Sequence, residues 1–139
     1  MLIKSKKVWS SGQFLPLIVE VEDKKITAVY DYDAFDKVDY DFGSNRILPG
    51  FIDVHTHGAY GYDTNDVNEE GLRNWTKNIV SEGVTSFLPT TITQTEEVLL
   101  KAVANVAKVY EEGYEGAEIL GIHFEGPYID VEKRGAQPK

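Results

Sequence analysis

The chain has 139 residues, enough for one ordinary domain, and 42% of them are hydrophobic, so a buried core is within reach and disorder is excluded by composition. A formal net charge of -9 and a pI near 4.7 argue against nucleic acid and anionic membrane surfaces as partners. Cysteine is absent, which excludes a disulfide framework and a thiolate zinc cluster and fits a reducing compartment such as the cytoplasm.

Residues 1–48 read as β structure. The N-terminal stretch from Met1 to Val8 lacks the apolar run of a signal peptide, and no stretch approaches the ~18 apolar residues of a membrane span. Leu17 to Glu22 is strand-like, Asp23-Lys24-Lys25 is a polar turn, and Ile26 to Tyr30 is the return strand of a hairpin. Five aspartates between Asp31 and Asp41 read as a solvated loop and edge.

The pattern changes at Ile47. The apolar run Leu48-Pro49-Gly50-Phe51-Ile52-Asp53-Val54 ends in His55-Thr56-His57-Gly58. A helix is expected next, with Asp66 as N-cap and Glu69 closing a capping box. It would bury Leu72, Trp75, Ile79 and Val80 and stop at Gly83. Val84 to Leu88 is the second strand, closed by Pro89. Thr93 and Glu96 form a second capping-box pair, and the helix after them would bury Val98, Leu99, Val103, Val106 and Tyr110 before Gly113. The third strand is Ile119 to Glu125. Strand–helix–strand–helix–strand is the pattern of a parallel sheet with crossover helices.

All three histidines fall at the ends of these apolar strands. Residues two apart on a strand share a face, so Asp53, His55 and His57 point one way, with the two ring-bearing backbones about 6–7 Å apart. Imidazole pairs of this kind suit zinc, iron, nickel or cobalt. A carboxylate at a buried strand end, Glu125, costs free energy unless it is paired or metal-bound. His123 is open to two readings, a supporting hydrogen-bond donor or a packing residue. Asp53 is the nearest internal candidate for a general base, and it could equally hold a histidine in place. Lys133 and Arg134 are the cations nearest the site, as a steering pair or as a solvated loop.

The segment Pro49 to Gly58 resembles the first-strand motif of the amidohydrolase superfamily. His123-Phe124-Glu125-Gly126-Pro127-Tyr128, followed by Lys133-Arg134-Gly135-Ala136-Gln137-Pro138, is similar to the N-acetylglucosamine-6-phosphate deacetylase family within it, as is the glycine-rich Gly58 to Asp63. The resemblance implies an α/β fold. Residues 1–48 would be part of a small β-sandwich, and residues 49–139 the first three βα units of an incomplete (β/α)8 TIM-like barrel. It implies a divalent metal, zinc or iron, as one or two ions. Glu125 matches the family's glutamate ligand, and His55 and His57 match a pair that binds a second metal in some members. Ala136 and Gln137 match a substrate-contacting pair. The implied substrate is a small sugar phosphate, hydrolysed by a cytoplasmic enzyme that is a homodimer at full length. The family's later histidine ligands, catalytic aspartate and phosphate-binding residues would lie beyond Lys139, leaving no certain catalytic base here and a chain inactive alone. A dihydroorotase- or hydantoinase-type amidohydrolase, and a non-catalytic assembly piece, stay open as alternatives.

Overall fold

A computed structural model describes residues 1–138, which divide into two compact units, Met1–Pro49 and the residues from Gly50 onward. The first unit is a single five-stranded sheet. It contains β1 (Leu2–Ser10), β2 (Gln13–Glu22), β3 (Lys25–Asp31), β4 (Tyr40–Asp41) and β5 (Arg46–Ile47). The order is β3-β2-β1, with β4 and β5 both pairing parallel to β1. The expected hairpin is β2–β3, turning at Asp23 and Lys24, both with positive φ.

The register of β1 on β2 shifts between Ser5 and Val8, which face Leu17 and Leu15. One extra residue in β1 makes a bulge, so Ser5 and Val8, three apart, are both buried. The Ser5 hydroxyl is satisfied there. It donates to Asn45 O at 2.5 Å and accepts from Lys7 N–H at 3.0 Å. The aspartate-rich stretch is partly structural: Asp39 Oδ2 accepts from Leu2 N–H at 2.6 Å, and Asp41 Oδ1 from Gly43 N–H at 2.8 Å.

The second unit is a mixed α/β layer. Its parallel sheet holds β6 (Phe51–Thr56), β9 (Val84–Thr91), β10 (Glu118–Ile119) and β11 (His123–Phe124), with β9 central between β6 and the β10/β11 pair. A small hairpin, β7 (Gly58–Ala59) with β8 (Tyr62–Asp63), precedes helix α1 (Glu69–Ile79), and α2 (Glu96–Glu112) follows β9. Apolar side chains of α1 and α2 pack on β9 and β10. Trp75 and Phe87 are fully buried with ring centroids 4.7 Å apart, among Leu72, Ile79, Val106, Val109 and Ile119.

Several local expectations are corrected. The N-cap of α1 is Asn68, whose Oδ1 accepts from Gly71 N–H at 3.0 Å, because left-handed Val67 separates α1 from a preceding 3-10 turn, Thr64–Asp66. Asp66 instead closes a capping box with Asp63 around that turn. Val80 lies past the helix end and is exposed, while Gly83 does adopt the left-handed conformation. The N-cap of α2 is Thr95, not Thr93. Its buried face is Leu99, Ala102, Asn105, Val106 and Val109, and Tyr110 is exposed. Pro89 does not close β9. The strand runs on to Thr91, and the missing N–H falls where the β6–β9 register is irregular, between Asp53 and Thr56. The third strand is broken in two, since Gly121 at φ 155 interrupts the pairing between β10 and β11.

Candidate metal centre

Three loops emerge at the C-terminal ends of the parallel strands. β6 leads into His57, β9 into Ile92 and Thr93, and β11 into Glu125. The 3-10 turn ties the first two exits together. Thr64, fully buried, donates both its N–H and its hydroxyl to His57 O, at 2.8 and 2.9 Å. Asn65 clamps Ile92 from both sides, accepting its N–H at 3.0 Å and donating Nδ2 to its carbonyl at 3.2 Å.

On this frame His55, His57 and Glu125 come together, with one ligand atom from each within 4.8 Å of the others. His55 Nε2 and His57 Nε2 each lie 2.9 Å from the same atom, Glu125 Oε2. His57 Nδ1 stands 3.2 Å from Thr90 O. A carbonyl only accepts, so Nδ1 carries the proton and Nε2 of the neutral ring is a lone pair. That lone pair faces a carboxylate oxygen. Acceptor against acceptor at this distance is attractive only with a proton or a cation between them.

The donor set fits a divalent cation. Two imidazole nitrogens and a carboxylate are ordinary ligands of zinc and iron. Ligand atoms about 2.1 Å from a shared ion lie roughly 3.0–3.4 Å from one another, close to the 2.9 Å that separates each histidine nitrogen from Glu125 Oε2. The Thr90 carbonyl supplies the outer hydrogen bond that a ligating histidine normally has. The Glu125 carboxyl is held below its ordinary range, chiefly by its hydrogen bond with His55, against the opposing effect of partial burial. The three side chains are a third to a half exposed, so the centre opens to solvent on one side.

His123 is not in the cluster. Its Nδ1 donates to Val54 O at 3.1 Å, and its ring meets the His55 ring edge-on at 4.6 Å between centroids. Asp53 lies next to the histidines, but its Oδ1 accepts from His55 N–H at 3.1 Å and so holds the strand end. Arg134 donates to Gln137 O and shapes its own loop; Lys133 is exposed. Ala136 is exposed, whereas Gln137 is buried and accepts from Thr93 N–H at 2.8 Å. Thr64, Asn65 and Thr90 were not visible as site residues in the sequence. Their contacts lie up to 34 positions away in the chain, so no local pattern marks them.

At its carboxyl edge this parallel sheet gathers two histidines and a glutamate, a group that could hold a metal ion, on a mixed α/β unit. The amidohydrolase family pattern matches residues 46–137, and the chain belongs to that family. It is 37% identical over 130 residues to the N-acetylglucosamine-6-phosphate deacetylase of Lysinibacillus sphaericus, covering 93% of this chain and 34% of that one. It is 45% identical over 96 residues to the enzyme of that name from Bacillus subtilis (strain 168), covering 67% and 24%. Among solved structures, a mutant N-acetyl-D-glucosamine-6-phosphate deacetylase from Mycobacterium smegmatis, in complex with N-acetyl-D-glucosamine-6-phosphate, superposes with a TM-score of 0.86 at 25% identity, over 99% of this chain and 35% of that one. The chain thus spans about a third of the length of such relatives.

Proposed function

We propose that this chain carries the first metal-ligand strands of an enzyme that hydrolyses N-acetylglucosamine 6-phosphate to glucosamine 6-phosphate and acetate. The observation that carries the reading is the convergence of His55 Nε2 and His57 Nε2 on Glu125 Oε2. The likeness to deacetylases over nearly the whole chain supports the choice of substrate. Residues 1–48 would belong to a β-sandwich and residues 49–139 to a (β/α)8 barrel, with a cytoplasmic homodimer as the working form.

His55, His57 and Glu125 would hold one or two divalent ions, zinc or iron. Bound there, the metal would supply Lewis acidity and a more acidic water. The chain's own part is to fix the ligands. Thr90 O keeps the His57 proton on Nδ1, Asp53 fixes the backbone at His55, and Glu125 stays ionised. Ala136 and Gln137 would line the sugar pocket. Among the described residues Asp53 alone lies beside the histidines as a base, and its oxygen is engaged with His55 N–H. Turnover is therefore not expected from the 139-residue chain by itself.

Elemental analysis and a coupled acetate assay test the reading. The chain should take up divalent metal and lose it in the His55→Ala/His57→Ala double variant, while the longer enzyme should release acetate from N-acetylglucosamine 6-phosphate. Unchanged metal in the double variant would remove the two-histidine assignment, and fast acetate release by the chain alone would show that it contains a base.

A further inference from the structure

Thr93 follows the end of β9 and caps nothing, yet two separate segments converge on it. The first is the segment carrying Glu125. A Cβ on Gly126 would stand 2.0 Å from Thr93 Oγ1, so the backbone beside Glu125 presses directly on the threonine, and the positive φ of 88° admits glycine there. The second is Gln137, only 7% exposed, whose Oε1 accepts from Thr93 N–H at 2.8 Å across 44 positions of sequence. A buried amide is costly to leave without a partner, so this contact is a fixed point of the loop.

We propose that Gln137 is a positioning residue: its buried amide pins the segment 126–137 to the Thr93 backbone and thereby sets where the Glu125 carboxylate stands relative to His55 and His57. The inference rests on the reading of that trio as a metal site. Through its contact with Thr93 the buried amide acts on the backbone of the loop that follows Glu125.

The test uses the whole chain and zinc as the probe. Gln137→Met keeps the volume and removes the hydrogen bond to Thr93 N–H. Zinc affinity, measured by competition with a chromophoric chelator, should fall about tenfold, the scale on which outer hydrogen bonds tune a metal site. The Thr93 amide should exchange with deuterium faster, while the metal-free variant still melts cooperatively. Gln137→Asn, with the same amide one methylene short, should reproduce both effects and covers the case in which the methionine variant misfolds. Unchanged zinc affinity and unchanged Thr93 protection in a folded variant would overturn the proposal. If the parent chain takes up no zinc, the metal reading fails, and the Thr93 amide still decides whether the pin exists.

Discussion

The Thr90 hydroxyl accepts the N–H of Thr56 at 3.0 Å, so the residue just before His57 is held by the same threonine whose carbonyl faces the His57 ring. One residue of the central strand thus fixes both the main chain and the tautomer of a ligand on the neighbouring strand. The Thr90 hydroxyl also donates to Leu88 O at 3.0 Å, and the side chain is fully buried. Thr90→Val keeps the shape and the carbonyl but leaves Thr56 N–H without its acceptor. The cost should be about 1–3 kcal/mol of stability, read as a lower urea midpoint. Zinc should bind more weakly in the same variant, since His57 loses its fixed seat. A variant as stable as the parent with equal zinc affinity would show that Thr90 is a passive core residue.

Glu125 differs from the two histidines in that each of them meets the same oxygen of its carboxylate. Removing one histidine leaves a nitrogen and a carboxylate; neutralising Glu125 leaves two uncharged rings. Glu125→Gln should therefore lower metal content more than His55→Ala or His57→Ala alone. Metal analysis after gel filtration orders the three variants, and a Glu125→Gln protein holding more metal than either histidine variant would contradict the shared-oxygen arrangement.

How much of this could be read beforehand differs by level. The apolar runs ending in His55, His57 and Glu125 were legible because strand alternation and burial are local properties. The helices were legible too, but their starts were not. Asp66 and Thr93 satisfy a capping pattern on paper, yet left-handed Val67 resets the first helix to Asn68. The second helix starts two residues later than the pattern suggests, where Thr95 Oγ1 accepts from Val98 N–H, while Thr93 gives its N–H to Gln137. The supports around the centre, Thr90, Thr64 and Asn65, act through contacts fixed only by the fold. The break at Gly121 likewise depends on a backbone angle that a run of apolar letters does not reveal.

Gly116 marks a close approach between the α2–β10 connection and helix α1. Its φ is +100°, and a Cβ there would lie 2.0 Å from the Thr76 carbonyl oxygen, the same oxygen that accepts Ala117 N–H at 2.9 Å. Gly116→Ala must therefore push the connection off the helix, combining backbone strain with a lost hydrogen bond. A destabilisation of about 2–4 kcal/mol is expected from these two contributions. Gly113→Ala serves as the comparison, because it has a positive φ but open space around it, and it should cost less. Equal melting temperatures for the two variants would show that the close approach is not a constraint.

The buried phenol of Tyr62 sets an alkaline limit on the fold. Its ring lies against Trp75 and beneath Gly71, where a Cβ would come within 2.7 Å of it, and its hydroxyl accepts from Asn105 Nδ2 at 3.3 Å. Burial pushes its pKa up to about 12 from an ordinary 10.0, with Asp66 and Asp63 adding to the rise and the Asn105 hydrogen bond opposing it. The raised value belongs to the folded state, so the unfolded chain releases this proton first. Its contribution to stability is complete below pH ~10 and is lost as pH rises toward ~12. Urea midpoints measured across that window should fall with a slope of up to about one proton from this residue. In Tyr62→Phe that part of the slope should vanish, at the cost of an unpaired amide on Asn105, which is itself buried. An alkaline slope identical in the parent and in Tyr62→Phe would mean that other groups govern the transition and that the phenol titrates as it would in water.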